Sequence, residues 1–172
     1  MNRLLGNGAV LSLVPLVGCI AIALVRTAVA ESLSPQMQSL LDAHNSYRAK
    51  HCVPPLTWSN ALADTAKQWA NRCDFNHDYQ SPHGENLFLG TAGAYSPQAV
   101  AESWYEEIDQ YDYARPDFSE PTGHFTQLVW QGTKQVGCAV AVCRGNNLWV
   151  CRYSPHGNVT GQFQRNVPKP CR

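Results

Sequence analysis

Along this chain the spacing of apolar residues switches between a helical and an alternating period, and the switches mark out the elements. Ser34-Pro35 opens a first helix as cap and first helical residue, and Met37, Leu40, Leu41, His44 and Tyr47 then follow one stripe. The turn from Val53 to Trp58, with Pro54 and Pro55, stops that helix. Ser59 caps a second helix, whose buried side carries Leu62, Ala66, Trp69, Ala70 and Cys73. A polar loop through Asp74, Phe75, Asn76 and His77 to Pro82 leads into His83-Gly84-Glu85-Asn86-Leu87-Phe88-Leu89-Gly90, a short strand that opens on a carboxylate. Ser96-Pro97 repeats the cap-and-proline opening for a third helix. At about 100° per residue, Val100, Trp104, Ile108 and Tyr111 share one side of it, and Glu107 falls within the same arc. Glu102 and Glu106 point to solvent.

From Asp112 to Pro121 the pattern is aperiodic and rich in aromatic and proline residues, as in a loop. Thr122 then caps a helix over Gly123-His124-Phe125-Thr126-Gln127-Leu128-Val129-Trp130, which puts His124 in the first turn and Phe125, Leu128 and Val129 inward. Beyond Trp130 the period becomes alternating. Val136 to Cys143 and Leu148 to Tyr153 read as two strands joined across Arg144-Gly145-Asn146-Asn147, a hairpin turn. The tail from Ser154 is loop-like and is pinned near its end by Cys171.

The start of the chain follows none of these patterns. Asn2-Arg3 precedes an apolar run from Ala9 to Val25, broken by Pro15, and Ala28-Val29-Ala30 supplies small residues before Glu31. Residues 1–30 read as a secretory signal peptide, leaving a single domain over 31–172. No permanent membrane span is expected, because a spanning helix needs roughly 20 apolar residues and this run holds a central proline. Leu16-Val17-Gly18-Cys19 offers a rival reading, a lipoprotein anchored at Cys19, against which stands the further apolar segment Ile20 to Val25. Secreted, extracellular or periplasmic placement is the expectation.

The chain has 13 basic and 13 acidic residues, and loss of Arg3 and Arg26 with the leader shifts the balance to −2. A near-neutral domain has no electrostatic reason to bind nucleic acid, and a monomer is expected. Of 7 cysteines, Cys19 leaves with the leader. Cys52, Cys73, Cys138, Cys143, Cys151 and Cys171 remain, an even set that suits disulfides in an oxidising compartment and contains no Cys-x-x-Cys metal pair. Their pairing is open at this level.

Candidate chemistry concentrates in a few places. Glu107, a carboxylate on an apolar stripe, needs a cation, hydrogen-bond donors or a metal, and Arg48 is one possible partner. His77, His83 and Glu85 form either a metal shell or a polar loop. His44, set among Asn45, Ser46, Tyr47 and Arg48, reads as part of a hydrogen-bonded structural cluster. Tyr111, Tyr113 and Phe118 suit a lid or a contact for an apolar ligand. Asn158-Val159-Thr160 has the pattern of a glycosylation acceptor.

Gly123 to Trp130 and Val150-Cys151-Arg152-Tyr153-Ser154-Pro155-His156-Gly157-Asn158 resemble the two signature motifs of the CAP superfamily, which groups cysteine-rich secretory proteins, antigen 5 and pathogenesis-related 1 proteins. His44-Asn45 with Arg48, Gly84-Glu85-Asn86-Leu87 and Trp104-Tyr105-Glu106-Glu107-Ile108 match its other landmarks in order. The resemblance implies an α+β fold, a three-layer α-β-α sandwich with a small antiparallel sheet stabilised by disulfides. It implies Cys73 paired with Cys143 and Cys138 with Cys151, which leaves Cys52 and Cys171 to each other. It also implies a cleft lined by His77, Glu85, Glu107 and His124, able to hold Zn²⁺ or another divalent metal, with His83 an extra histidine outside the general pattern. A binding or defence module follows, whose Tyr111 to Phe118 loop corresponds to the region implicated in capture of sterol or fatty acid. The alternative is a metal-dependent hydrolase, a peptidase or esterase with Glu85 or Glu107 as base, although the sequence offers no nucleophile with a dedicated base.

Overall fold

The computed structural model describes residues 33–171. The expected leader over 1–30, and with it Cys19, lies outside them. The elements follow the order α1 (Pro35–Lys50), β1 (Thr57–Trp58), α2 (Asn60–Ala70), β2 (Gly84–Thr91), α3 (Pro97–Tyr105), 3-10 turns at Glu106–Gln110 and Glu120–Thr122, α4 (Gly123–Val129), β3 (Gln135–Cys143), β4 (Asn146–Ser154) and α5 (Phe163–Asn166). Three serines start helices as the sequence suggests: Ser34, Ser59 and Ser96 accept from the backbone N–H of Met37, Leu62 and Ala99 at 3.3, 3.3 and 3.1 Å.

The strand order is β1-β3-β4-β2. β3 and β4 form an antiparallel hairpin whose two turn residues, Arg144 and Gly145, have φ of 51° and 85°, the left-handed pair that matches strand twist. β2 pairs antiparallel with β4 and forms one edge, β1 the other. The sheet is mixed, however, and not wholly antiparallel: β1 runs parallel to β3. Pro54 and Pro55 hold the chain extended, and Thr57 and Ser59 then donate to the carbonyls of Lys134 and Val136 at 3.0 and 2.9 Å.

Alternation along the strands sends side chains to two cores. Leu87, Leu148 and Val150 pack with Ala66 and Ala70 of α2 on one face. Trp149, Cys151 and Tyr153 pack on the other with Leu40, Val100, Trp104, Phe125 and Leu128 from α1, α3 and α4. The result is an α-β-α sandwich. Gly137 is required here, because a Cβ would collide with the backbone of Ser59 and Ala63 where α2 presses on the sheet.

Disulfides join Cys52 to Cys171, Cys73 to Cys143 and Cys138 to Cys151. Cys73 is exposed beyond the end of α2, at φ 54°, and not on the helix's buried side as its spacing suggests. α3 is also shorter than its apolar stripe: it tightens into a 3-10 turn at Glu106, which carries Glu107 off the α-helical register.

His44 is fully buried and structural. Its Nδ1–H donates to Leu40 O at 2.7 Å, and its Nε2 accepts from the Tyr153 hydroxyl at 2.8 Å. Burial, opposed in part by the Leu40 carbonyl, lowers its pKa to about 4. The unfolded chain binds this proton near pH 6.5 and the folded one does not, so stability falls as pH drops from 6.5 towards 4. The loss expected from His44 is about 2–3 kcal/mol by pH 4.5. Urea midpoints at pH 7 and 4.5 check it: His44→Asn should show a flatter pH dependence than the unaltered chain, and equal slopes would refute the assignment.

Candidate functional site

β2 is one edge of the sheet, and a loop that leaves α2 on one face and the start of α4 on the other meet around it. They bring His77 and His124 together, with ring centroids 6.3 Å apart. Each histidine has its own glutamate. His77 Nδ1 lies 2.7 Å from Glu85 Oε1, and His124 Nδ1 lies 2.6 Å from Glu107 Oε1.

The second pair is anchored by a helix end. Thr122 stands at the start of α4 but makes no side-chain cap bond; its hydroxyl is turned back to Ser119, donating to the carbonyl at 3.2 Å and pairing with Oγ at 2.7 Å. Glu107 takes that place from another element: its Oε2 accepts from the backbone N–H of His124 at 2.9 Å and of Phe125 at 3.0 Å. A carboxylate there satisfies two orphan donors and sits at the positive end of the helix. The alternative partner, Arg48, is buried elsewhere and bonds only carbonyl oxygens. Trp104 stacks beside His124 at 6.2 Å and donates from Nε1 to Leu87 O at 2.9 Å, fixing α3 to the edge strand.

The first pair is anchored by the sheet. Glu85 Oε1 also accepts from Asp78 N at 3.1 Å. Glu85 Oε2 lies 2.9 Å from Arg152 Nη1, an ion contact outside hydrogen-bonding geometry, while Arg152 Nη2 donates to Asp78 Oδ2 at 2.9 Å. Arg152 and Asp78 are not among the candidate residues that the sequence marks out. The signal was present, since Leu148, Val150 and Arg152 alternate on one face of β4 and an arginine on an apolar face requires anionic company.

A carboxylate can only accept, so each Nδ1 carries a proton, and in the neutral ring each Nε2 keeps its lone pair. Neither Nε2 has a protein partner among the described residues, and the two side chains are 43% and 29% exposed. With Zn–N bonds of about 2.0–2.1 Å and a tetrahedral angle, two imidazoles sharing one ion have ring centroids roughly 5 Å apart. At 6.3 Å the two rings stand about 1 Å wider apart than that, so His77 and His124 fit a shared ion once they draw together by about that much. Among the described residues no three His, Cys, Asp or Glu groups converge as a ready metal shell. The glutamates stand behind the histidines and not beside them.

The other candidates fall elsewhere. His83 lines a shallow cavity of about 280 Å³ with Trp69, Arg72 and Arg152, and burial together with the Arg152 charge lowers its pKa. Tyr111 and Phe118 line a cavity of about 360 Å³ with Asp112, Arg115 and Asp117. Tyr113 faces a different one, of about 180 Å³, beside Pro168 and Lys169. Phe118 is exposed, whereas the Tyr111 and Tyr113 hydroxyls are buried without a partner and their pKa values are raised by that burial. Asn158 has its side chain engaged: Nδ2 donates to Gly123 O at 2.9 Å, and Oδ1 accepts from Thr126 Oγ1 at 2.6 Å. Its amide nitrogen therefore braces the first turn of α4, a role that competes with glycan attachment.

Two neighbouring His–Glu pairs stand at one edge of a disulfide-bonded α-β-α sandwich, and the chain belongs to the cysteine-rich secretory protein family, whose CAP profile matches residues 41–153. Among its relatives, Repressed by EFG1 protein 1 of Candida albicans is 45% identical over 132 residues, covering 72% of this chain and 47% of that protein. The chain thus spans less than half of that relative's length. Golgi-associated plant pathogenesis-related protein 1 of Homo sapiens is 38% identical over 151 residues, covering 81% of this chain and 97% of the human one. The crystal structure of NaASP2 with Zn²⁺ shares the fold at a TM-score of 0.66 and 23% identity, covering 80% of this chain and 87% of that one.

Proposed function

We propose that residues 31–172 form an exported, monomeric binding domain of the defence type, whose cleft takes a divalent cation such as Zn²⁺ on His77 and His124. One observation carries this reading: both imidazoles donate from Nδ1 to a glutamate, which leaves Nε2 of each neutral ring open to a cation, with the ring centroids 6.3 Å apart. Glu85 and Glu107 orient the rings and select the nitrogen that carries the proton, as carboxylates behind metal-bound histidines do. A bound cation would supply Lewis acidity or a bridge to an anionic ligand. NaASP2 was solved with Zn²⁺, but that likeness is one of fold, and the case here rests on the two histidines.

The hydrolase reading finds less support. A general base needs a carboxylate oxygen facing the reacting water, and Glu85 and Glu107 have their oxygens occupied by imidazole, backbone N–H or Arg152. A sterol or fatty acid remains the proposed partner of the aromatic loop. The cavity at Tyr111 and Phe118 lies at the low end of the small-molecule range, and its Asp112, Arg115 and Asp117 suit an amphiphile with a polar end. Export fits the three disulfides, and no helix among the described residues is long and apolar enough to cross a membrane.

Calorimetric titration of the oxidised, metal-free protein with Zn²⁺ tests the cleft. One exchangeable site is expected, weakened at least about tenfold by either His77→Ala or His124→Ala, since each change removes one of two protein ligands. Binding that survives both changes would place the ion elsewhere, and absence of binding would end the cation reading.

A further inference from the structure

The two halves of the cleft are built differently. His124 is oriented by a helix end, whereas the His77 half has no helix behind it and draws its order from the sheet. Glu85 of β2 and Arg152 of β4 stand directly opposite one another in the strand register. Directly opposed residues project to the same face, here the α2 side, where the guanidinium lies 5.7 Å from the Trp69 ring. The Arg152 side chain is 2% exposed, so its charge has to be met by protein groups.

What meets it forms a closed circuit. Nη2 donates to Asp78 Oδ2, and Nη1 contacts Glu85 Oε2, both at 2.9 Å. Asp78 N donates to Glu85 Oε1, the same oxygen that receives His77 Nδ1–H. One guanidinium thereby fixes the carboxylate that selects the His77 tautomer and the residue that follows His77 in the loop. No lysine and no other arginine lies within ion-pair distance of Glu85 or Asp78 among the described residues.

We propose that Arg152 is the positioning residue of the His77 half of the cleft: from the sheet it holds Glu85 and the 77–78 backbone so that His77 keeps its proton on Nδ1 and presents Nε2 outward. It touches neither ligand nor ion, and it acts only on His77. The His124 half, tied to α4 through Glu107, is independent of it. This inference rests on the cation reading of the cleft, but the ring tautomer tests it without any metal.

Nitrogen-15 spectra of the imidazoles, at a pH where both rings are neutral, give the direct readout. The unaltered protein should show His77 with Nδ1 protonated and Nε2 bare. In Arg152→Met, His77 should lose that pattern while the His124 signals stay unchanged, and Zn²⁺ affinity should fall about 10–100-fold. Arg152→Met leaves Asp78 and Glu85 without their cation and can fail to fold. Arg152→Lys, which keeps the charge but engages one carboxylate where the fork engages two, is the second variant. It should fold, with an intermediate loss of His77 tautomer purity and of Zn²⁺ affinity. An unchanged His77 pattern in folded Arg152→Lys or Arg152→Met would overturn the inference, as would His77 and His124 changing together. If the unaltered protein binds no Zn²⁺ while the tautomer results hold, the cation reading fails and the positioning role stands.

Discussion

Replacing Arg48 by methionine is expected to cost the domain about 3–5 kcal/mol, near the upper end for a single change. Arg48 is fully buried in the last turns of α1, and burial lowers its pKa only to about 10, so it remains charged. Its guanidinium donates to the carbonyls of Pro54, Leu128, Trp130 and Thr133 at 2.9 to 3.1 Å. Methionine fills much of the volume but leaves these acceptors without their donor, and hydrogen bonds to a charged group contribute about 1.5–3 kcal/mol each before the cost of burying the charge is set against them. Guanidinium chloride midpoints and thermal melts check it, with a fall of roughly 10 °C or more in Tm. Arg48→Lys should recover less than half of the loss, because an ammonium cannot span acceptors arranged around a planar fork. A cost below about 1 kcal/mol for Arg48→Met would show that water replaces the guanidinium and that the buried network is not what holds these segments.

The position of those carbonyls gives this result its bearing on the cleft. α4 has 7 residues, too short to persist alone. Arg48 takes carbonyls at its C-terminal end, Leu128 and Trp130, while Glu107 takes the amides at its N-terminal end. Asn158 braces its first turn through Gly123 and Thr126. The helix that carries His124 is thus held by charged and polar groups from three other parts of the chain.

This arrangement explains what could be read from the sequence and what could not. The caps at Ser34, Ser59 and Ser96 are local, involving residues three apart, and pattern alone places them. The hairpin and its turn are local in the same sense. The helix wheel singles out Glu107 as an acid in need of a partner, but the choice between Arg48 and a site depends on which distant element arrives beside it. Thr122 looks like the cap of α4 on local grounds, and a carboxylate 17 residues before His124 displaces it. β1 consists of two residues whose pairing exists only once β3 is in place. Arg152 was legible in the alternation of β4, yet the identity of its partners required the register of β2. The acceptor pattern at Asn158 says nothing of an amide already engaged by the Gly123 carbonyl.

Glu107 is the second residue whose replacement should have a large effect, and two substitutions separate its two tasks. Glu107→Ala removes the acceptor for the amides of His124 and Phe125 as well as the partner of His124 Nδ1. Loss of a cap and of charge-assisted bonds at a helix start should cost about 2–3 kcal/mol, read from denaturant midpoints and from faster hydrogen exchange at those two amides. Glu107→Gln keeps one oxygen that can still accept from both amides, so stability should stay within about 1 kcal/mol of the unaltered chain. Its NH₂ group, however, then faces His124 Nδ1, which has to become the acceptor and moves the ring proton to Nε2. The lone pair that a cation needs is lost, and Zn²⁺ affinity should drop about 10–100-fold in a protein that remains folded. Unchanged Zn²⁺ binding in Glu107→Gln, with the His124 ring signals where they were, would mean that the carboxylate only caps α4 and has no hold on the chemistry of the histidine.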